Sequence, residues 1–476
     1  MGRRPRGAHV ALSCQSPWPP ARGSGVVSHP IGSRQFPHPD ANFGVSVVLR
    51  RVDLRLVALL GAALVALALW SLLVPAWESS DEPDHWQYAA YIHQHAALPP
   101  YDRQFREGNE PPLYYLLMSP VTGTGGAPGQ ALGRGADGRE HYINLPRLYP
   151  TSQHDLRDYA GLHIGRLLTC LVSLGTVWFT FLAGRVATGR RETGFLAAAL
   201  VAFLPQFSAR GSTFSTDALV TAVCAAGTWL IIRLWRHGYS HRLGAAIGVV
   251  GGLAILSKVT GVVLFAGFVV AVAVRRDVPW RSRVMRLWPI AVSLLIASPW
   301  LIHNQITYGD PLDLKQVPVA VGDLFAPHAL LSGYFAGAFP LTLAQSFVGL
   351  FGWTNVPMPP AYYAAYAMVL CLVIAGCCRA IRESSEIRGL MTVLLAITVA
   401  AFLIVVDINL TFTQPQGRYM FAALSAIAVL AALGLEATPG WTRHALKATT
   451  IGAGFLFVLD VALLPLVIIP AYGVHW

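Results

Sequence analysis

Eleven runs of about 15–22 mostly apolar residues follow one another down this chain, near the roughly 20 residues a helix needs to cross a bilayer. They cover 56–76, 161–183, 194–210, 217–235, 243–257, 259–274, 287–302, 361–379, 389–407, 419–435 and 448–469. In lipid each run must satisfy its own backbone polar groups, and only a helix does so within one segment. Of 476 residues, 54% are hydrophobic and 12% are charged. Soluble domains carry about twice that share of charge, so a water-facing surface of this size could not be covered. The expectation is an all-α polytopic membrane protein with about eleven transmembrane helices.

The net charge of +11 then needs no nucleic-acid partner, because cations collect in cytoplasmic loops. Sixteen Lys and Arg residues fall in the short loops that would face inward, among them Arg185, Arg190, Arg233, Arg275, Arg379 and Lys447. The outer turns and the second long outer loop hold only Arg210, Lys258, Lys315 and Arg418. This bias predicts a multi-pass plasma (inner) membrane protein with a cytoplasmic N-terminus and the C-terminus outside. Residues 1–54, rich in Arg, Pro, Gly and Ser without a period, read as a disordered basic tail ahead of a membrane domain at 55–476. The tail also resembles untranslated sequence, which raises an alternative start near Val45–Val48. None of the six cysteines falls in a long polar loop, and Cys377-Cys378 is adjacent rather than CxxC, so neither a disulfide framework nor a zinc site is supported.

Two outer segments are long, 77–160 and 303–360, and eleven of the 24 acids lie in the first. Within it, Asp84–Ala97 and Pro111–Pro120 have the mixed aromatic and polar spacing of interfacial helices. Glu78, Asp81, Glu82 and Asp84 crowd together just after the first span, ahead of His85. Neighbouring carboxylates raise one another's pKa, which suits a general base, while Asp84 serves equally as a helix cap. Glu110-Pro-Pro-Leu-Tyr114-Tyr115 is an aromatic anchor or a groove lining. Asp217 opens the fourth span as a cap or as a cavity-facing acid. His303 and Asn304, ahead of Tyr308-Gly-Asp-Pro, suit a sugar or phosphate but also a structural role. Arg166 and Arg418 open outer helix ends, where Arg either snorkels or holds phosphate through its fork of donors. Asp460 is an acid inside the last span. Walker, Rossmann, His-Glu-x-x-His and serine-elbow patterns are absent, against ATP-driven and hydrolase chemistry.

In their order along roughly residues 55–435, these segments resemble the polytopic glycosyltransferases of the C superfold. That group includes protein O-mannosyltransferase and aminoarabinose-transferase relatives, and the likeness is nearest to its bacterial members of unassigned function. The resemblance rests on Asp81-Glu-Pro-Asp-His85, Glu110–Tyr115, Arg166-Leu-Leu, Ser215-Thr-Asp217, Leu256-Ser-Lys258, Tyr308–Pro311, Phe351-Gly-Trp353 and Gln416-Gly-Arg-Tyr419. Two positions depart from the pattern. Glu110 stands where a His usually precedes the proline pair, and His303 where Arg is common.

The resemblance implies a hexosyl or pentosyl transferase using a polyprenyl-phosphate sugar donor, because nucleotide sugars are not supplied outside the membrane. The acceptor would be an envelope glycan, lipid or protein. A lipid phosphate leaves without protonation, so one carboxylate base suffices for inversion, unlike the acid–base pair of a glycosidase. On this reading Asp81 is the base, Glu82 positions donor or base, and Arg166 and Arg418 hold the phosphate. Asp84, His85, Glu110, Tyr114, Tyr115, Asp217 and His303 line the substrate site. No cofactor is called for; the loop acids leave room for a divalent cation, with no spacing that fixes one. A flippase of lipid-linked sugars or a non-catalytic envelope-assembly protein are the alternatives. Few charges on the inner half of the spans disfavour the first.

Overall fold

The computed structural model describes residues 53–123, 132–134, 140–142, 159–274, 279–317, 320, 326–438 and 445–472. The basic tail and the alternative start lie outside the described residues, apart from Asp53 and Leu54. All eleven apolar runs are helical. Among the described residues, eight helices are long and apolar enough to cross a membrane alone, and a ninth span forms if a pair bent by 67°, Arg191–Ala202 with Pro205–Gly211, counts as one. The remaining two runs form the shorter helices His241–Ser257 and Val259–Ala273.

Local sequence sets where the site-bearing helices begin and end. Helix α1 (Leu54–Leu73) is capped by Asp53, whose side chain accepts from Arg55 N at 3.2 Å. It stops two residues before Pro75. Helix α2 (Glu82–His95) has a proline in its first turn, where the missing N–H costs nothing. Helix α3 (Leu113–Met118) follows the Pro111-Pro112 pair. Helix α4 (Ala160–Thr188) ends at Gly189, whose φ of +76° suits a left-handed cap. Helices α5 (Arg191–Ala202) and α6 (Pro205–Gly211) form the bent pair. Helix α7 (Thr216–His237) starts at Ser215, whose Oγ accepts from Asp217 N.

Helices α4, α5, α7 and α8 (Leu424–Glu436) pack around an apolar core that includes Phe181, Phe207, Ile231, Leu394 and Phe421. Small residues let backbones approach, the usual route to packing where lipid offers no hydrophobic drive. A Cβ on Gly194 would lie 2.5 Å from Phe181 O. One on Gly376, in the helix Pro360–Glu383, would run into Gly434 O of α8. The first long loop folds against the bundle. Trp77, Trp86, Tyr88, Tyr114, Tyr115 and Phe214 make one buried aromatic cluster, with Tyr88 stacked on Tyr115 at 3.7 Å. The two expected loop helices are present as α2 and α3. Their buried faces pack into this cluster, and α2 begins two residues earlier than its spacing suggests. Two short antiparallel strand pairs, Leu132–Arg134 with Glu140–Tyr142 and Leu350–Phe351 with Val356–Pro357, are the sheet content among the described residues.

Candidate active site

Two charged groups sit side by side at one end of the bundle, where α1 and α6 end and α4 and α7 begin. The first is closed. Arg166, on the first turns of α4, points its guanidinium at the exit of α1. Its Nε and Nη2 donate to the two oxygens of Glu82 at 2.8 and 2.5 Å. Its remaining donors reach the carbonyls of Ser71, Val74 and Pro75 at 2.8–3.0 Å. All five donors of a guanidinium are thereby engaged. Glu82 is equally saturated, since it also accepts Trp77 N at 3.1 Å and Phe214 N at 2.9 Å. Both side chains are 0% exposed. The pair ties together the end of α1, the start of α2, α4 and the loop before α7.

The second group is centred on Asp217. Its Oδ1 accepts from Lys258 Nζ at 3.0 Å, and its Oδ2 from Arg210 Nη2 at 3.1 Å and Arg418 Nη1 at 3.4 Å. Three helix ends supply these cations: the last turn of α6, the break after His241–Ser257, and the 3₁₀ segment Gly417–Ala423 leading into α8. The cations carry different loads. Arg210 gives its other donors to Ser79, Ser80 and Ser215 and has none spare. Lys258 also pairs with Glu110 at 3.4 Å. Arg418 donates to Asp81 through Nη2, yet its Nε is buried without a hydrogen-bond partner. The Tyr419 ring lies under both Lys258 and Arg418, at 5.6 and 5.2 Å.

Exposure shows where this group opens. Arg418, Asp217 and Arg210 are 2–4% exposed, whereas Asp81 reaches 19% and Glu110 16%. Asp81 sits just before α2 in the left-handed region, with φ +65° and ψ −1°, an uncommon conformation for a residue with a Cβ. Its carboxylate caps nothing and faces Arg418 instead. Burial acts to raise its pKa, but the Arg418 and Arg210 guanidiniums outweigh it and hold the carboxyl below the usual range. Burial, aided by Lys258 and Arg210, brings the His85 imidazole down to about 3. His85 Nδ1 lies 2.8 Å from Tyr115 Oη in a hydrogen bond, and Nε2 lies 3.4 Å from Ser215 Oγ. Burial, with repulsion from Glu110 and Asp81, raises Glu107 well above the carboxylate range; burial, reinforced by Asp217, also raises Glu110, where the hydrogen-bonded Lys258 opposes the shift. A cation-rich, water-poor cluster with two partly accessible carboxylates, Asp81 and Glu110, can hold an anion and accept a proton beside it.

The family model for dolichyl-phosphate-mannose-protein mannosyltransferase matches residues 161–303, the stretch carrying Arg166, Arg210, Asp217 and Lys258. No curated protein sequence matches the chain. Among solved structures, the chain resembles ArnT from Cupriavidus metallidurans bound to undecaprenyl phosphate, with TM-score 0.53 and 14% identity over 87% of this chain and 73% of that one. Apo ArnT from the same organism gives TM-score 0.51 with the same identity and coverage. The chain has the C-superfold architecture of polytopic membrane glycosyltransferases.

Within this C-superfold bundle, the residues singled out by sequence divide into three sets. Asp81, Asp217, Arg418 and Glu110 converge, with His85 and Tyr115 in the layer behind them. Arg166 and Glu82 form the closed pair beside that group, with no donor and no lone pair left for a ligand. Tyr114 is buried with its hydroxyl 2.9 Å from Thr169 Oγ1, and Asp84 is buried in α2. His303 is exposed on the helix Trp288–Tyr308 and makes no bond to the cluster. Asp460 is buried and accepts from Ser208 Oγ at 2.6 Å and Trp70 Nε1 at 3.2 Å. Arg210 and Lys258 are members of the site to which sequence reading assigned no role, although Lys258 stands in the Leu256-Ser-Lys258 motif. Their signal was present, because both are among the four cations of the outer turns and the second long outer loop. Among the described residues, no three acids, histidines or cysteines are grouped to hold a metal ion.

Proposed function

We propose that the protein transfers a sugar from a polyprenyl-phosphate donor to a hydroxyl of a cell-envelope acceptor, at the outer face of the plasma (inner) membrane. The N-terminus is then cytoplasmic, as the bias of Lys and Arg suggests. One observation carries the reading. Asp81, the most accessible acid of the cluster, sits against Arg418, a buried cation that still has a donor without a partner. ArnT of the same fold was crystallised with undecaprenyl phosphate, which supports a lipid phosphate as the partner.

The chemistry follows from the charges. Asp81 takes the proton of the acceptor hydroxyl as its oxygen attacks the anomeric carbon from the face opposite the phosphate. The configuration inverts, and the lipid phosphate leaves with the bonding electron pair. Arg418, assisted by Lys258, balances the charge that grows on the phosphate oxygens, and does so best in a site poor in water. Asp217 holds the cations in position. Arg210 has every donor engaged and so acts on Asp217 rather than on the donor. Glu82 and Arg166 fix the frame.

The test is purified protein supplied with radiolabelled polyprenyl-phosphate sugar and an envelope acceptor fraction. Transfer that disappears in Asp81→Asn, with the variant still folded in the membrane, supports the reading. Movement of the labelled lipid between leaflets without transfer assigns a flippase instead, and full activity in Asp81→Asn removes Asp81 as the base.

A further inference from the structure

Resting on that reading, we infer that the contact between Asp81 and Arg418 is a latch opened by the donor. The phosphate of the incoming lipid takes the place of the Asp81 carboxylate on Arg418, and only then is Asp81 free to serve as the base.

Three features of the geometry lead there. Among the described residues, Arg418 is the sole hydrogen-bonding partner of the Asp81 side chain, so one exchange sets the carboxylate free. Among the described residues, Arg418 is also the guanidinium of the cluster with a donor left unspent. Nε lacks a partner, whereas Arg210 is fully engaged. A phosphate oxygen at Nε therefore meets no competitor, and a second oxygen at Nη2 meets Asp81. Finally, the backbone from Asp81 into α2 is held. His85 N donates to Asp81 O at 2.9 Å, and Glu82 is locked to Arg166. The exchange is thus a side-chain rotation at Asp81 and does not require α2 to move.

Charge supports the exchange. A sugar phosphodiester carries one negative charge, as Asp81 does, so Arg418 is compensated before and after. Once it lies beside a phosphate instead of a guanidinium, the Asp81 carboxylate binds a proton more readily, which makes it a better base. Donor binding then precedes productive acceptor binding. The product, a phosphate monoester of higher charge, holds Arg418 more tightly than the donor does.

The latch makes a counter-intuitive claim about affinity. With the latch closed, Asp81 competes with the lipid phosphate, so removing the carboxylate must tighten binding even as transfer is lost. The experiment is binding of undecaprenyl phosphate to the full chain in detergent, by native mass spectrometry and by ligand-induced thermal shift, for wild type, Asp81→Asn, Asp81→Ser and Arg418→Gln. A latch closed about nine-tenths of the time predicts roughly tenfold tighter binding in both Asp81 variants, without transfer. Arg418→Gln weakens binding. Unchanged or weaker affinity in both Asp81 variants overturns the latch, while the transfer reading survives if Arg418→Gln still loses the lipid. Failure of wild type to bind the lipid overturns both.

Discussion

Replacing Glu82 by Gln separates a structural role for the Glu82–Arg166 pair from a role in holding the donor. The carboxylate accepts four bonds, two from Arg166 and one each from the backbone of Trp77 and Phe214, and both side chains are shut off from water. Gln keeps one acceptor but turns an NH₂ toward groups that are all donors, and leaves the guanidinium without its counter-charge. Breaking a buried ion pair from one side costs about 3–5 kcal/mol. Against a native stability of about 5–15 kcal/mol, that is a large share. Glu82→Ala also strips two buried N–H groups of their acceptor, at about 1–3 kcal/mol each, and should not accumulate as folded protein. Glu82→Leu with Arg166→Met removes both charges, a swap that is often neutral for a simple pair. Here it also orphans three carbonyls and two N–H groups, so it should recover only part of the loss. The assay is thermal melting in detergent with monodispersity on size exclusion, alongside undecaprenyl phosphate binding by the folded fraction. If Glu82→Gln melts like wild type but no longer binds the lipid, the pair holds the ligand and the structural account is wrong.

Three further predictions concern groups outside that pair. His85 should stay uncharged from pH 5 to 8, because burial keeps its pKa near 3; a carbon-13 titration of its ring with a midpoint between 5 and 7 would refute this. Asp313 is buried with both oxygens unpartnered and, through burial and Asp310, is pushed up to about 7. The folded state then holds a proton that the unfolded state releases above about 4, so stability falls as pH rises from about 4 to 7 and is level above it. The gain in melting temperature from Asp313→Asn should therefore grow over that interval and then plateau; a gain independent of pH would contradict it. Gly376→Leu should push the helix Pro360–Glu383 off α8, since even a Cβ there runs into Gly434 O. Overpacking of this kind costs about 1–3 kcal/mol, and a wild-type melting curve for the variant would sink the idea.

Much of the architecture can be read from the residues, because lipid leaves an apolar run no alternative to the helix. All eleven runs are helical, and the difference lies in length. The runs before and after Lys258 are interrupted where that side chain turns to Asp217. The site was legible chiefly through charge that sits where it is uncommon. Arg210, Lys258 and Arg418, three of the four cations of the outer turns and the second long outer loop, meet at one carboxylate. What spacing does not reveal is which of two neighbours is locked and which is open. Asp81 and Glu82 are adjacent acids, yet the left-handed backbone at Asp81 turns one toward the open cluster and the other into a sealed pair. Arg166 and Arg418 look alike as Arg at helix beginnings. Only the carbonyls of Ser71, Val74 and Pro75, which converge through the exit of α1, distinguish them.

The sealed pair also dictates an order of assembly during synthesis. Glu82 and one of its donors, Phe214 N, are 132 residues apart. At 5–20 residues per second the ribosome needs roughly 7–26 s to bridge that distance. Throughout that interval Glu82 has no complete set of partners, and Arg166 reaches the membrane before the loop that completes Glu82's shell exists. The first loop must therefore wait, hydrated, for helices made later. A candidate active site encoded near the start of the chain is thus finished only after much of the bundle has been inserted.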